Sequence, residues 1–296
     1  MNYIKRIFLF LSLNFLVVMT ILVVLNFLHV SPYLHTYGIS YQDLFIFCFI
    51  WGMGGALISL FLSKHIAKWM VGVKIISRND SEFQELLSMV ENLASEAGLS
   101  TPQVGVYASK EVNAFATGSS KRNSLIAVST GLLERMKSED IQGVLAHEIT
   151  HIANGDMVTM TLLQGVVNAF VMFLARILAL AISGSNKNNR RSHSSMSFYL
   201  LVTLFEIVFM ILGSMVIAAY SRYREFRADL GGARLTGKEK MIGALQTLRI
   251  LQEIKDSNTH LAFQTFKISL PQKRGFIRFF ATHPPLQQRI ERLQKL

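Results

Sequence analysis

The 296 residues are 51% hydrophobic, with a mean hydropathy of +0.35 and a formal charge of +11. That apolar share exceeds what an ordinary soluble domain carries and points to membrane segments, while the single cysteine, Cys48, excludes an intramolecular disulfide and a cysteine-based metal site. The basic residues crowd next to apolar stretches, as juxtamembrane Lys and Arg do, and no recognisable nucleic-acid motif accompanies them, so membrane topology explains the charge better than a nucleic-acid partner does.

Residues 7–28 carry no charge and are long enough to span a bilayer, with Lys5 and Arg6 just before them. A cleaved signal peptide is the rival reading, but the run is long for one and no small-x-small cleavage site follows before Pro32. A second charge-free run covers residues 44–63, and Lys64, Lys68, Lys74 and Arg78 come directly after it. The 29–43 connection holds no Lys or Arg, so the positive-inside rule puts the N-terminus and residue 64 onward in the cytoplasm.

Residues 79–156 read as a soluble domain. Ser81-x-x-Gln84 has the form of a capping box, opening a helix that stops near Gly98. Gln103–Ala108, Asn113–Thr117 and Ser124–Ser129 read as short strands, and Gly131 turns the chain toward the next helix. In that helix Ser138 is a plausible N-cap, and Glu139 and Asp140 place negative charge in the first turn. Ile141, Val144, Leu145, Ile149 and Ile152 recur at helical spacing, and Asn154-Gly155 is a stop signal.

This helix carries His147-Glu148-Ile149-Thr150-His151, the pattern HExxH. On a helix the two histidines lie one turn apart on the same face, where two imidazoles can grip one Zn²⁺. Glu148, beside the first of them, is placed to take a proton from the attacking water. The bland alternative is an ordinary amphipathic helix that happens to carry two histidines.

Two more apolar runs follow, at 157–183 with Arg176 inside it and at 196–221 with Glu206 inside it. A charge within a spanning helix normally faces protein, water or a partner. In an antiparallel hairpin centred near residue 191 the two charges fall at similar depth (191 − 176 = 15 and 206 − 191 = 15), so they can pair; the alternative is that each snorkels or faces a wet cavity. The 184–195 connection holds Lys187, Arg190 and Arg191, so the hairpin either crosses the membrane fully or lies shallowly in it. In both cases residues 64–156 and 222–296 end on the same side. The tail opens with Arg222-Tyr223-Arg224-Glu225-Phe226-Arg227-Ala228-Asp229, continues as a helix from Lys238 to Ile254, and is irregular or strand-like over 257–282. Thr282-His283-Pro284-Pro285 then reads as the N-cap and entry of a last helix, Leu286–Leu296.

A catalytic zinc needs a third protein ligand. Asp156, His260, His283 and Glu206 each have a drawback: a turn, isolation in sequence, or depth in an apolar run. Glu225 and Asp229 share a helix face, and the hairpin brings them level with the histidines, since 151 + 225 and 147 + 229 have the same midpoint, 188. Glu225 is then the candidate ligand and Asp229 the acceptor of the His147 N–H; the alternative for Glu225 is a solvated charge among arginines.

HEITHIANGD after two hydrophobic runs, then two more runs, SRYREFRAD and THPPLQQRI, together with NAFATG, resembles the HtpX family of bacterial membrane-bound heat-shock zinc metalloproteases, related to the CAAX prenyl proteases. The resemblance covers nearly the whole chain. It implies an integral membrane α-helical protein with about four transmembrane or membrane-embedded helices and a mainly α, α+β zincin-like (gluzincin) cytoplasmic protease domain. Its parts would be an N-terminal transmembrane hairpin (1–63), a first protease segment with HExxH (64–156), a second membrane hairpin (157–221) and a second protease segment with the third ligand (222–296). It implies one Zn²⁺ on His147, His151 and Glu225, with Glu148 catalytic and Asp229 behind His147. It also implies cleavage of unfolded or membrane polypeptides at the cytoplasmic face of the inner membrane, in stress-linked quality control and with quality-control proteases as possible partners. His283 is the candidate oxyanion stabiliser, and the strand opened by Asn113 is a candidate edge for an extended substrate. Prenyl-protein processing, or a non-catalytic zinc-binding scaffold, are the other readings.

Overall fold

The structure is a computed structural model that describes residues 40–184, 195–263 and 278–295. The first apolar run (7–28), residues 185–194 of the basic connection and 264–277 of the stretch read as irregular lie outside the described residues. In chain order the elements are α1 (Tyr41–Met70), β1 (Lys74–Ile75), a 3-10 turn (Ser81–Phe83), α2 (Gln84–Glu96), β2 (Gln103–Tyr107), β3 (Ala114–Gly118), β4 (Ser124–Ser129), α3 (Thr130–Arg135), α4 (Ser138–Asn154), α5 (Asp156–Gly184), α6 (Ser195–Thr236), α7 (Lys238–Phe263), a second 3-10 turn (Arg278–Phe280) and α8 (Leu286–Gln294). The chain divides into two compact units, one of residues up to Ser59 with Thr159–Ile217, the other of Leu60–Val158 with Ala218–Leu296.

The first unit is helical. Among the described residues three helices are long and apolar enough to cross a membrane, Tyr41–Met70, Asp156–Ser183 and Met196–Thr236, as a membrane protein requires. Their outer faces leave Trp51, Ile58, Leu200 and Ile207 exposed, where lipid replaces water. Inside, Cys48 packs with Phe173, Ile177 and Leu180. A side chain at Gly52 would lie 2.5 Å from the backbone nitrogen of Ala169, so glycine is what lets α1 approach α5 so closely. Arg176 donates to Glu206 Oε1 at 2.8 Å and to the carbonyl of Met172 at 2.9 Å. The two charges expected at equal depth therefore meet, and the ion pair relieves much of the cost of each in hydrocarbon.

The second unit is built on a four-stranded sheet in the order β1-β2-β4-β3. Strands β2 and β4 are parallel, and β1 and β3 run antiparallel to their neighbours. Every residue of β4 is buried, because both faces of the sheet are covered. On one face Ile126 and Val128 pack with Leu86, Val90, Leu93, Leu145 and Ile149 of α2 and α4; on the other, Leu125 and Ala127 meet Ala67, Val73 and Tyr107. The last helix, α8, docks Ile290 and Leu293 onto Met241 and Leu245 of α7.

Several local expectations need correction. Ser81 and Gln84 form no capping box: Ser81 opens a 3-10 turn with no side-chain cap, and the Gln84 amide turns back to the carbonyl of Arg78. Ser138 is the first helical residue, not the N-cap, and its hydroxyl serves Glu85 of α2 instead. Thr282 does not cap α8, whose N-cap position is Pro285. Helix α7 does not stop at Ile254 but runs to Phe263, since neither Gly nor Pro interrupts the chain between Met241 and Phe263 except Gly243, early in the helix. The RYREFRAD segment is the continuation of one 42-residue helix out of the apolar run.

If the Arg176–Glu206 pair holds the hairpin, Arg176→Glu alone should lower the protein's thermal stability in detergent by several degrees, and Glu206→Arg in the same chain should restore it. A double variant no more stable than the single one would show that the pair is incidental.

Candidate metal centre

Helix α4 ends at Asn154 because Gly155 takes a left-handed conformation, φ 65°, and caps it. The chain re-enters a helix at once, so Asp156 sits in the first turn of α5 and its Oδ2 accepts from His151 Nδ1 at 2.7 Å. Helix α6 packs against α4 through Gly231 and Gly232. A side chain at Gly231 would fall 2.2 Å from Thr150 Cγ2, and one at Gly232 would fall 3.2 Å from the His147 backbone nitrogen. This close approach sets Glu225 and Asp229 against the histidines.

His147, His151 and Glu225 are all buried, and each offers a ligand atom such that all lie within 4.8 Å of one another. The two Nε2 atoms are 3.1 Å apart. Glu225 Oε1 lies 3.3 Å from His151 Nε2, and its Oε2 lies 3.4 Å from His147 Nε2. The far ring nitrogens both face carboxylates: His147 Nδ1 is 3.0 Å from Asp229 Oδ1, matching the 2.7 Å contact of His151 with Asp156. Carboxylates only accept, so each Nδ1 carries a proton, and a ring that is neutral aims its Nε2 lone pair at the other ring and at Glu225. Three electron-pair donors thus converge in a buried space, and neither oxygen of Glu225 has a hydrogen bond of good geometry. A cation resolves this conflict, and the donor set of two imidazoles and one carboxylate suits a metal ion.

The same field acts on protons. Burial disfavours the His151 imidazolium, yet Asp156 and Glu225 outweigh it and raise its pKa to about 9. Burial alone would raise the Glu225 carboxyl, but the imidazoles of His147, His151 and His283 hold it far below the carboxylate range. At Asp229 burial is again opposed, chiefly by Arg289 and then by His147, and the carboxyl is lowered.

Arg289, on α8 and only 7% exposed, grips both oxygens of Asp229, with its Nε 2.8 Å from Oδ2. Its Nη2 also approaches His147 Nδ1 at 3.3 Å, and its Nη1 lies 3.6 Å from Glu225 Oε2. His283 is exposed but reaches inward, with Nδ1 2.9 Å from Glu225 Oε2. Glu148 is half-buried beside His147. Asn113 is exposed and lies one residue before β3, which starts at Ala114 and not at Asn113 as expected; it exchanges hydrogen bonds with Ser129, and no contact joins it to the cluster among the described residues. Of the other ligand candidates, Glu206 is paired with Arg176, Asp156 supports His151, and the His260 side chain lies outside the described residues. Sequence reasoning missed Arg289 and the support from Asp156. It also passed over the glycine pair, although two glycines inside a helical run are a signal of close backbone approach. Arg289 left no such signal, since a lone Arg on an amphipathic helix reads as surface.

The profile of peptidase family M48 matches residues 80–296. A protein of Methylacidiphilum infernorum described as a protease HtpX homolog is 46% identical over 297 residues, 99% of each chain. One of Bacillus subtilis with the same description is 47% identical, covering 98% of this chain and 99% of its own. A protease HtpX of Thioalkalivibrio sulfidiphilus is 44% identical over 99% of both. In fold, the crystal structure of S. mikatae Ste24p superimposes with a TM-score of 0.62 at 17% identity; the match covers 96% of this chain and 66% of that one.

With metal removed by a chelator, the raised His151 pKa makes protonation of that ring stabilising. The contribution is complete below the ordinary value of 6.5 and is lost as pH rises through about 9. The melting temperature in chelator should therefore fall across that window, by the equivalent of at most about 3 kcal/mol. Asp156→Asn should flatten the fall, and added metal, which takes the neutral ring, should remove it. A profile flat from about pH 6 to 10 in chelator would contradict the assignment.

Proposed function

The chain belongs to peptidase family M48 and is a membrane metalloprotease, and from that premise we propose that it is a zinc-dependent endopeptidase that cuts misfolded or damaged membrane proteins at the cytoplasmic face of the inner membrane. The observation that carries this reading is the convergence of His147, His151 and Glu225 within 4.8 Å in a buried space. These three would hold the zinc, in a zincin-like domain assembled from residues 64–156 and 222–296. Bound there, zinc supplies Lewis acidity, polarising the scissile carbonyl and making water nucleophilic near neutral pH.

Glu148 takes a proton from the attacking water and returns it to the leaving amine. Its neighbour His147 is kept in one tautomer by Asp229, and His151 by Asp156. Arg289 neutralises Asp229 and holds it in place against His147. His283, an exposed donor 2.9 Å from Glu225, is placed to stabilise the oxyanion as charge develops on the substrate carbonyl. Among the described residues strand β3 pairs with β4 alone and lies at the edge of the sheet, where it can take an extended polypeptide by backbone pairing. Recognition through the backbone tolerates many side chains, which suits a quality-control substrate. Quality-control proteases are the expected partners.

The basic residues Lys64, Lys68, Lys74 and Arg78 after the second apolar run support a cytoplasmic protease domain and cytoplasmic termini. The likeness to Ste24p is one of fold, and it adds no residue-level argument for prenylated substrates.

The test is cleavage of an unfolded protein by chain purified in detergent under metal-free conditions, then reloaded with zinc. Glu148→Gln should bind zinc and lose activity by about a hundredfold or more. Glu225→Ala should lose both zinc and activity, and His283→Ala should lose about a hundredfold in kcat with zinc retained. Activity that survives Glu225→Ala would overturn the ligand assignment, and cleavage confined to a CAAX peptide would move the substrate class to prenyl proteins.

A further inference from the structure

Helix α1 leaves its charge-free run at Ser63 and enters a basic turn, Lys64 to Trp69. Over these residues it rises about 7 to 8 Å, close to the thickness of one polar headgroup layer, roughly 5 to 8 Å. Trp69 is 88% exposed and Met70 74%, an arrangement that suits the amphipathic indole at a membrane surface. On its inner side the same turn buries Ala67 against Val73, Tyr107, Leu125 and Ala127, so it is laid directly on the outer face of the sheet.

The turn between β3 and β4 is fastened to that helix end. Lys64 Nζ donates to Asn123 Oδ1 at 2.7 Å. Asn123 in turn donates from its amide to Ser119 Oγ at 3.0 Å and from its backbone to Ser120 Oγ at 3.1 Å, and Ser124 Oγ donates to the carbonyl of Lys121 at 3.1 Å. Gly118, with φ +142°, makes the tight entry that any side chain would block, since its Cβ would lie 2.2 Å from the carbonyl oxygen of Asn123. The tip of this ordered turn carries Lys121 and the exposed Arg122. Neither the 44–79 segment nor the 112–133 segment contains an Asp or Glu, so each is basic in sequence.

We infer that the β3–β4 turn is a membrane-docking element, in which Lys121 and Arg122 join Lys64, Lys68 and Trp69 in a surface for the phosphate headgroups of anionic phospholipids. The bond from Lys64 to Asn123 sets the tip at the depth where the span leaves the hydrocarbon. Charge complementarity selects anionic lipid, and the indole selects an interface over free phosphate in water. The inference needs α1 to span the membrane and does not depend on the protease chemistry.

A bimane probe on a cysteine at Ser120, in a Cys48→Ala background, reads the docking. The protein is placed in nanodiscs of phosphatidylglycerol or of phosphatidylcholine, each doped with headgroup spin-labelled lipid. Quenching should be at least about twofold stronger in phosphatidylglycerol, fall at 0.5 M salt, and drop to the phosphatidylcholine level in Lys121→Gln/Arg122→Gln. Unchanged melting temperature of that double variant shows that the loss is not misfolding. Equal quenching in the two lipids, quenching indifferent to the double substitution, or a probe signal no different from one at exposed Ser95 would overturn the inference. So would a tip that responds to added single-stranded RNA in detergent as strongly as to phosphatidylglycerol, which would assign the surface to nucleic acid.

Discussion

Glu225 is 1% exposed and still carries its charge. A carboxylate in that position costs several kcal/mol unless positive or polarised partners surround it. Its nearest neighbours are ring nitrogens, and two of those rings are turned by other carboxylates so that, when neutral, they offer lone pairs to whatever lies between them. The assembly closes electrostatically around positive charge, a proton on His151 or a metal ion in its place. Much of the second unit can be understood as the scaffolding needed to hold this repulsive arrangement together.

Each support comes from a different part of the chain. Gly155 ends α4 one residue before Asp156, so that the acid which orients His151 is delivered by the start of the next helix. Gly231 and Gly232 remove the two side chains that would otherwise push α6 away from Thr150 and His147. Arg289 balances the second buried carboxylate, Asp229, and is itself anchored because Ile290 and Leu293 of the same helix are packed on α7. The apolar docking of α8 and the charge balance at His147 are therefore one energetic unit. Loosening the helix strands a buried charge, and stranding the charge loosens the helix.

How much of this was legible in the sequence depended on whether the signal was local or periodic. HExxH, the strands over 103–107, 114–118 and 124–129, and the apolar runs were readable because each has a period or a fixed spacing. Arg176 and Glu206, and Glu225 with its histidines, were reachable because an antiparallel hairpin turns sequence distance into depth. Caps were read poorly. Ser81, Ser138 and Thr282 all have the right chemistry, but tertiary neighbours or a proline took the position, as Glu85 did with the Ser138 hydroxyl. The extent of α7 was missed because the absence of breakers was outweighed by a polar, weakly periodic stretch. Arg289 could not be found at all: its role is created by packing between segments 60 residues apart, and no spacing rule encodes that.

The contact between Arg289 and Asp229 also has a meaning in time. Arg289 is made 138 residues after His151 (289 − 151 = 138), and at about 5 to 20 residues per second this is a delay of roughly 7 to 28 s. Throughout that interval the nascent chain already holds HExxH but lacks the guanidinium that balances Asp229 beside His147. The charge balance at Asp229 is thus the last part of the centre to be made, and until then the chain holds HExxH without it.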